Sequence, residues 1–417
     1  MGFVVFSNNI ARLLGNVDAG AGFVVAGLSA VFAGVISTFR GWFQGFEDMT
    51  PTAISQVSEQ VLKVGIGIWL AIVLASFGVS YAVAGAFLGV LAGEVFATIY
   101  LLIVFLFSKR KYVDFSKSKK KLLFWTATKK LVSKWFAFGL TGFIIPLTVA
   151  IDSFLVVNLL KRAGFGESVS TALFGIQSGM INSLINFPMI LAVALSTSII
   201  PSISFLVKQK KMGEVTQKIN LSLKLVLFFS VPCALGLMAV SQNILFMFYP
   251  KLSPQMHDVA VVLLLISAFN VVYLGLLQIT SSVLQSLGHV YIPVFSSLLG
   301  CLFKIALTLI LVPNPSINIY GSAVAGIVAY LVPCVVNILM LRREIKIDIG
   351  FKFAMTLLVA SIFMAGATLA INLLLFSSTG PIITLLICVL FAVISYFSMI
   401  FGFEGLKFSD FQTTKRV

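Results

Sequence analysis

Residues 39–63 read Phe-Arg-Gly-Trp-Phe-Gln-Gly-Phe-Glu-Asp-Met-Thr-Pro-Thr-Ala-Ile-Ser-Gln-Val-Ser-Glu-Gln-Val-Leu-Lys. Apolar sequence lies on both sides, yet this stretch holds Arg40, Gln44, Glu47, Asp48, Gln56, Glu59 and Lys63. Gly41, Gly45 and Pro51 mark it as the turn between two membrane helices. Pro51 suits the start of the second helix, because the first helical residues need no backbone donor. Beyond it, Gln56, Glu59 and Lys63 fall at i, i+3 and i+7 and share one helix face, and Glu59 and Lys63 form an i, i+4 pair in the favourable order. Arg40 and Glu47 fit an interfacial turn, whereas Lys63 lies roughly three turns into its helix. Ionised groups entering lipid are costly unless they face a cavity or a partner, so the stripe is predicted to face one.

Composition explains the apolar surroundings. Hydrophobic residues make up 59% of the 417 and charged residues 10%, with a mean hydropathy of +1.08. Soluble domains carry about 25% charged residues, so this chain reads as an all-α multi-pass membrane protein. The net charge of +15 does not point to nucleic acid, because the basic residues gather in short loops between apolar spans. Cys233, Cys301, Cys334 and Cys388 sit in apolar segments and read as small core residues. His257 and His289 read as loop residues. The sequence carries no phosphate-loop, HExxH or GxSxG pattern, and neither a metal site nor a cofactor is expected.

Eleven spans are expected, at roughly 22–43, 54–77, 82–107, 135–159, 172–205, 219–240, 258–286, 291–312, 319–341, 353–376 and 382–402. Residues 1–20 read as the tail of a span followed by an interfacial turn. The linker 109–134 holds ten Lys and Arg. The loops 208–218 and 342–352 add Lys208, Lys210, Lys211, Lys218, Arg342, Arg343, Lys346 and Lys352, and the tail has Lys407, Lys415 and Arg416. With these spans all four segments fall on one side, the cytoplasmic side by the positive-inside rule. The opposite loops carry few cations: Arg12, Lys161, Arg162 and Lys251.

The chain also repeats itself. A shift of 241 residues places Gln44 on Gln285, Ser55 on Ser296, Lys63 on Lys304 and Ala84-Gly85 on Ala325-Gly326. Ser7-Asn8-Asn9-Ile10 matches Ser241-Gln242-Asn243-Ile244 at an offset of 234. Polar matches carry the weight, because such residues are scarce here. The organisation expected is 1–108 as a three-span lobe, 109–134 as a basic linker, 135–341 as a six-span lobe, and 342–417 as two further spans and a tail. Completing the first lobe to match the second requires roughly 100 residues, three spans, ahead of Met1.

Three stretches resemble a known family. The first is Phe39-Arg40-Gly41-x-Phe43-Gln44-Gly45, continuing through Pro51-Thr52-Ala53-x-Ser55-Gln56-x2-Glu59-Gln60. The second is Leu184-Ile185-Asn186-Phe187-Pro188, continuing through Leu191-Ala192 to Ser204, and the third is Ile151-Asp152-Ser153-Phe154. Together they are similar to the polysaccharide-transporter branch of the multidrug/oligosaccharidyl-lipid/polysaccharide exporter superfamily, close to the stage V sporulation protein B-like members and the lipid II flippases. The resemblance implies fourteen helices in two pseudo-symmetric lobes around a V-shaped cavity. The eleven spans would be helices four to fourteen, and the last two would line a groove for a lipid tail. Helices one to three, which carry essential arginines in the flippases, are the part not represented, which puts transport by this polypeptide alone in question.

Flipping a lipid-linked sugar needs no nucleophile. It needs a hydrated cavity, a cation for the diphosphate, an apolar path for the tail and two interconverting states. The cavity candidates are Arg40, Gln44, Glu59, Lys63, Asp152, Asn158, Asn182, Asn186, Gln278, Gln285 and Lys304. Lys63 and Lys304 are related by the repeat. Asp152 is the clearest mid-membrane carboxylate, and would meet a cation of the other lobe, a coupling ion or a hydrogen-bond partner on a neighbouring helix; Glu94 is a second. Asn182, Asn186 and Pro188 mark an irregular point in the span 172–205, suited to gating. Gly85-x3-Gly89-x3-Gly93 permits close helix packing. The leading expectation is a flippase for a lipid-linked oligosaccharide or peptidoglycan precursor. The alternatives are a cation-coupled drug or metabolite antiporter, and a truncated product that transports nothing.

Overall fold

The computed structural model describes residues 20–46, 48–112 and 124–402. The turn expected in residues 1–20, Glu47, residues 113–123 of the linker and the tail beyond 402 fall, but for Gly20, outside the described residues. Among those described, eleven helices or helix runs are long and apolar enough to cross a membrane, and there are no strands. The protein is an all-α multi-pass membrane protein. It divides into two compact units, Met1–Ala127 and Thr128–Val417.

The first unit contains α1 (Gly20–Gly45), α2 (Thr50–Ala75) and α3 (Val79–Tyr112). Helix α1 runs straight through Gly41, so the turn is shorter than the glycines predict. It closes through Asp48, whose Oδ1 accepts from the Thr50 amide at 3.1 Å just before Pro51. Helix α3 packs on both neighbours. Its glycine stripe does the work on α2: a Cβ on Gly89 would lie 2.2 Å from Gly67 Cα, and one on Gly93 would lie 2.7 Å from the Glu59 carbonyl oxygen. On α1 the contact is aromatic, with Ile36, Phe43, Ala97 and Leu101 buried and Trp42 set edge-on to Phe105 at 4.9 Å.

The second unit holds the rest. Helix α4 (Phe124–Arg162) leads to α5 (Glu167–Gly175), a π-helical segment (Ile176–Ile181) and α6 (Asn182–Lys208). Next come α7 (Met212–Ala239), the short α8 (Ser241–Phe248), α9 (Pro254–Ser267), α10 (Phe269–Ser286), α11 (Tyr291–Leu311) and α12 (Ile319–Leu341). The last pair, α13 (Phe351–Thr379) and α14 (Pro381–Gly402), packs on α7. Two polar ties fix that pair: Tyr396 donates to the Phe228 carbonyl at 2.7 Å, and Asn372 donates to the Ala239 carbonyl at 3.3 Å.

The span expected at 258–286 is present as a run of two helices, broken at Ala268. Two expectations need correction. His257 is not a loop residue: Ser253 caps α9 by accepting from the Met256 amide, Pro254 takes the first helical position, and His257 is buried against Phe246 with ring centroids 3.8 Å apart. The irregular point in 172–205 is the π-helical segment ahead of Asn182, while α6 continues through Pro188. Hydroxyls serve carbonyls there: Ser178 donates to Phe174 O at 2.7 Å and Ser183 to Gly179 O at 2.5 Å. The cysteines are free, with Cys301, Cys334 and Cys388 buried.

The repeat has a structural counterpart. Adding 241 to the end of α1 gives Ser286, where α10 ends; the start of α2 gives Tyr291, where α11 starts. The start of α3 gives residue 320, one past the start of α12. Within each triplet the second and third helices pack most extensively, the first and third next, and the first and second least.

Candidate functional site

In the first unit the polar stripe forms an ionic cluster. Arg40 Nη2 lies 2.7 Å from Glu59 Oε2, and its Nε donates to Ser55 Oγ at 3.0 Å. Lys63 Nζ is 3.8 Å from Glu59 Oε1. The sequence pairs Glu59 with Lys63 and leaves Arg40 to the interface. The structure gives the close contact to Arg40, because α1 extends five residues beyond it and holds the guanidinium over α2. Glu59 is buried, and both cations converge on its carboxylate. The glycine stripe lets α3 approach the same turn of α2. Gln44 is half-buried at the end of α1, and Gln56 is exposed. Glu94 is buried too, and Ser29 of α1 donates to it at 2.5 Å.

In the second unit Lys304 of α11 pairs with Asp152 of α4. The partner for Asp152 comes from another helix of its own unit, one of the three alternatives left open by the sequence, rather than from the other lobe. Both side chains are largely buried, at 10% and 14% exposed. They border a polar cavity of about 40 Å³, lined also by Gln177, Asn182, Asn270 and Tyr330. A second, more apolar cavity of about 30 Å³ shares Val149, Lys304 and Tyr330 with the first and adds Thr148, Ser297 and Cys301. Each has room for a few waters. Among the described residues, Gln177 Oε1 and Asn270 Oδ1 are buried without a hydrogen-bond partner. Gln177 sits in the π-helical segment and Asn270 just past the Ala268 break, so both helix irregularities of this unit meet the Asp152–Lys304 pair. Discontinuous helices lining a polar cavity are a recurring feature of transporter sites.

Of the candidates in this unit, Asp152, Asn182 and Lys304 come together. Asn158 does not join them: it is exposed, and donates to the Phe154 carbonyl of its own helix at 2.7 Å. Asn186 is exposed, and Gln278 and Gln285 are half-buried on α10. Sequence reasoning missed Gln177, Asn270 and Tyr330. Gln177 carried a signal, lying five residues before Asn182 in a glycine-flanked segment; Asn270 carried none, since no proline or glycine marks the break at Ala268. It also missed Asn337. That buried amide accepts from Ser296 at 2.7 Å and donates to Ser281 at 3.0 Å. Ser281 and Ser296 are the repeat counterparts of Arg40 and Ser55. The two triplets therefore tie the same point, one with a guanidinium and the other with an amide.

A family model described as "Polysaccharide biosynthesis protein" matches residues 2–207, and the MatE model matches residues 175–310. Stage V sporulation protein B of Bacillus subtilis (strain 168) is 28% identical over 376 residues, covering 85% of this chain and 70% of the relative. The lipid II flippase MurJ of the same organism is 25% identical over 323 residues, covering 73% of this chain and 56% of the flippase. A solved MurJ structure in an inward closed conformation superposes with a TM-score of 0.53 at 14% identity, over 92% of this chain and 72% of that one. Both family models and these relatives agree with the three stretches noted above: the chain is similar to the multidrug/oligosaccharidyl-lipid/polysaccharide exporter superfamily, in its polysaccharide-transporter, MurJ-like branch, and the solved structure shares its fold.

Proposed function

We propose that the protein moves a lipid-linked oligosaccharide or peptidoglycan precursor across the cytoplasmic membrane by alternating access. The observation that carries this reading is the buried Asp152–Lys304 pair beside a polar cavity where two helices lose regularity. A lysine held by a carboxylate in low dielectric is a cation in reserve. When the carboxylate is protonated or turned aside, the ammonium is free to meet a phosphate. Lys63, sharing Glu59 with Arg40, is the matching cation of the first unit. No covalent step is required, so the reading assigns no catalytic residue and no cofactor. The basic loops 208–218 and 342–352 lie on the cytoplasmic side in this reading.

A second reading, a cation-coupled antiporter of the same superfamily, is favoured by one observation: Asp152 and the unpaired amide oxygens of Gln177 and Asn270 offer oxygen ligands around one cavity. One experiment separates the two. The protein is reconstituted in vesicles with a fluorescent lipid-linked disaccharide in one leaflet, and its arrival in the other is followed by chemical quenching. Movement is expected with the wild type. Asp152→Asn at equal protein level is expected to slow it roughly tenfold or more, the scale of losing one ionic contact. Labelled lipid that stays in its starting leaflet, beside protein that exchanges organic cations, would select the antiporter.

A further inference from the structure

Two basic loops of the second unit form one surface. The first joins α6 to α7 and carries Lys208, Lys210 and Lys211; the second joins α12 to α13 and carries Arg342, Arg343 and Lys346, with Lys352 on the first turn of α13. Leu206, Val215, Ile219, Leu341 and Ile345 pack in a single core beneath both loops. Asn220 of α7 then clasps the second loop to that helix. Its Nδ2 donates to the Lys346 carbonyl at 3.2 Å, and its Oδ1 accepts from the Asp348 amide at 3.1 Å.

Acidic groups on this face are already engaged. Glu214 pairs with Lys211 at 3.0 Å, and Glu344 lies 2.5 Å from His289. Asp348 accepts from the Gly350 amide at 2.9 Å. That leaves Lys208, Lys210, Arg342, Arg343, Lys346 and Lys352 exposed, with no ion pair among the described residues. Topology alone requires cations in each loop. It does not require an asparagine that fastens the second loop to α7 over the core shared with the first; like charges held on one face are unfavourable until an anion arrives. Apolar side chains border the face: Phe351, next to Lys352, is 83% exposed, and Phe205 and Met212 are exposed as well.

We propose that this clasped face binds the phosphodiester head group of anionic phospholipids. Guanidinium groups at Arg342 and Arg343 suit phosphate oxygens, and Phe351 enters the acyl region beside them. A surface bordered by lipid-facing apolar residues lies at the level of the membrane interface, which favours a lipid over a soluble acidic partner. This inference does not depend on the transported substrate.

Native mass spectrometry of the detergent-solubilised protein with phosphatidylglycerol or phosphatidylcholine tests it. Phosphatidylglycerol adducts are expected to survive at several-fold higher occupancy. Each basic residue near an anionic surface is worth roughly fivefold in binding, so Arg342→Gln with Arg343→Gln is expected to cost over tenfold. Asn220→Ala, which changes no charge, is expected to weaken retention several-fold. Lys208→Gln with Lys210→Gln, on an exposed turn, gives a second charge variant if the arginine variant does not fold. Lys251→Gln is expected to change nothing. Equal retention of both lipids, or undiminished phosphatidylglycerol in the charge variants and Asn220→Ala alike, would overturn the proposal. So would displacement of the phospholipid by millimolar inorganic phosphate, or by an equal amount of undecaprenyl diphosphate, which would assign the face to a free ion or to the cargo.

Discussion

Glu59 is shared by two cations, and the sharing sets what its replacement does. Arg40 is within hydrogen-bond distance of it, while Lys63 is a longer contact on the same helix. Removing one partner of a buried ion pair typically costs about 3–5 kcal/mol, whereas replacing both by apolar groups is often close to neutral. Glu59→Met is therefore expected to lower the thermal unfolding midpoint strongly, and the double variant Arg40→Met with Glu59→Met to recover much of the loss. Equal midpoints for the single and double variants would show that Arg40 and Glu59 are not coupled. At this scale the sequence exposed which residues were unusual, because ionisable groups in apolar spans are few. It did not expose their partners. Asp152 meets Lys304, a contact between residues 152 positions apart, and no local spacing encodes that.

Helices were legible wherever length and hydropathy set them. The eleven spans follow from apolar runs, and the glycine stripe of α3 announced its close approach to α2. Gly89→Val is expected to push α2 and α3 apart and lower the unfolding midpoint by several degrees, since a Cβ there meets Gly67 backbone. Gly65→Ala, with open space around it, is expected to be neutral or stabilising by up to about 1 kcal/mol. What was illegible is how two of the helices lose regularity. The π-helical segment carries one extra residue per turn without a proline to announce it. Deleting Gly179 is expected to convert that segment to α-helix and leave the protein folded by circular dichroism. It would re-aim Gln177 relative to Asn182 and slow lipid translocation. Unchanged translocation would show that the irregular turn has no part in it.

Across the whole molecule, the orientation proposed above follows from the distribution of cations. Single cysteines at 210 and 346, in a background lacking the four native ones, are expected to react with an impermeant maleimide only in inside-out vesicles, and one at 251 only in right-side-out vesicles. Reaction of all three from one side would refute the assignment of the basic loops. The duplication is the other molecule-wide property, and scarce polar residues made it visible. Its chemistry was hidden, because the two copies keep lysines in register but recruit different acids.

That divergence constrains any attempt to exchange the copies. Lys63 and Lys304 correspond, but Glu59 corresponds to Gly300. A Cβ at Gly300 would fall 2.4 Å from the Ala329 carbonyl oxygen. A graft of the earlier segment into the later one would bring its own counter-ion into a space filled by backbone, while Asp152 would compete for the same ammonium. With the acid on another helix and the corresponding position closed around glycine, the halves are not interchangeable parts, and making them so would take coordinated changes on three helices at once.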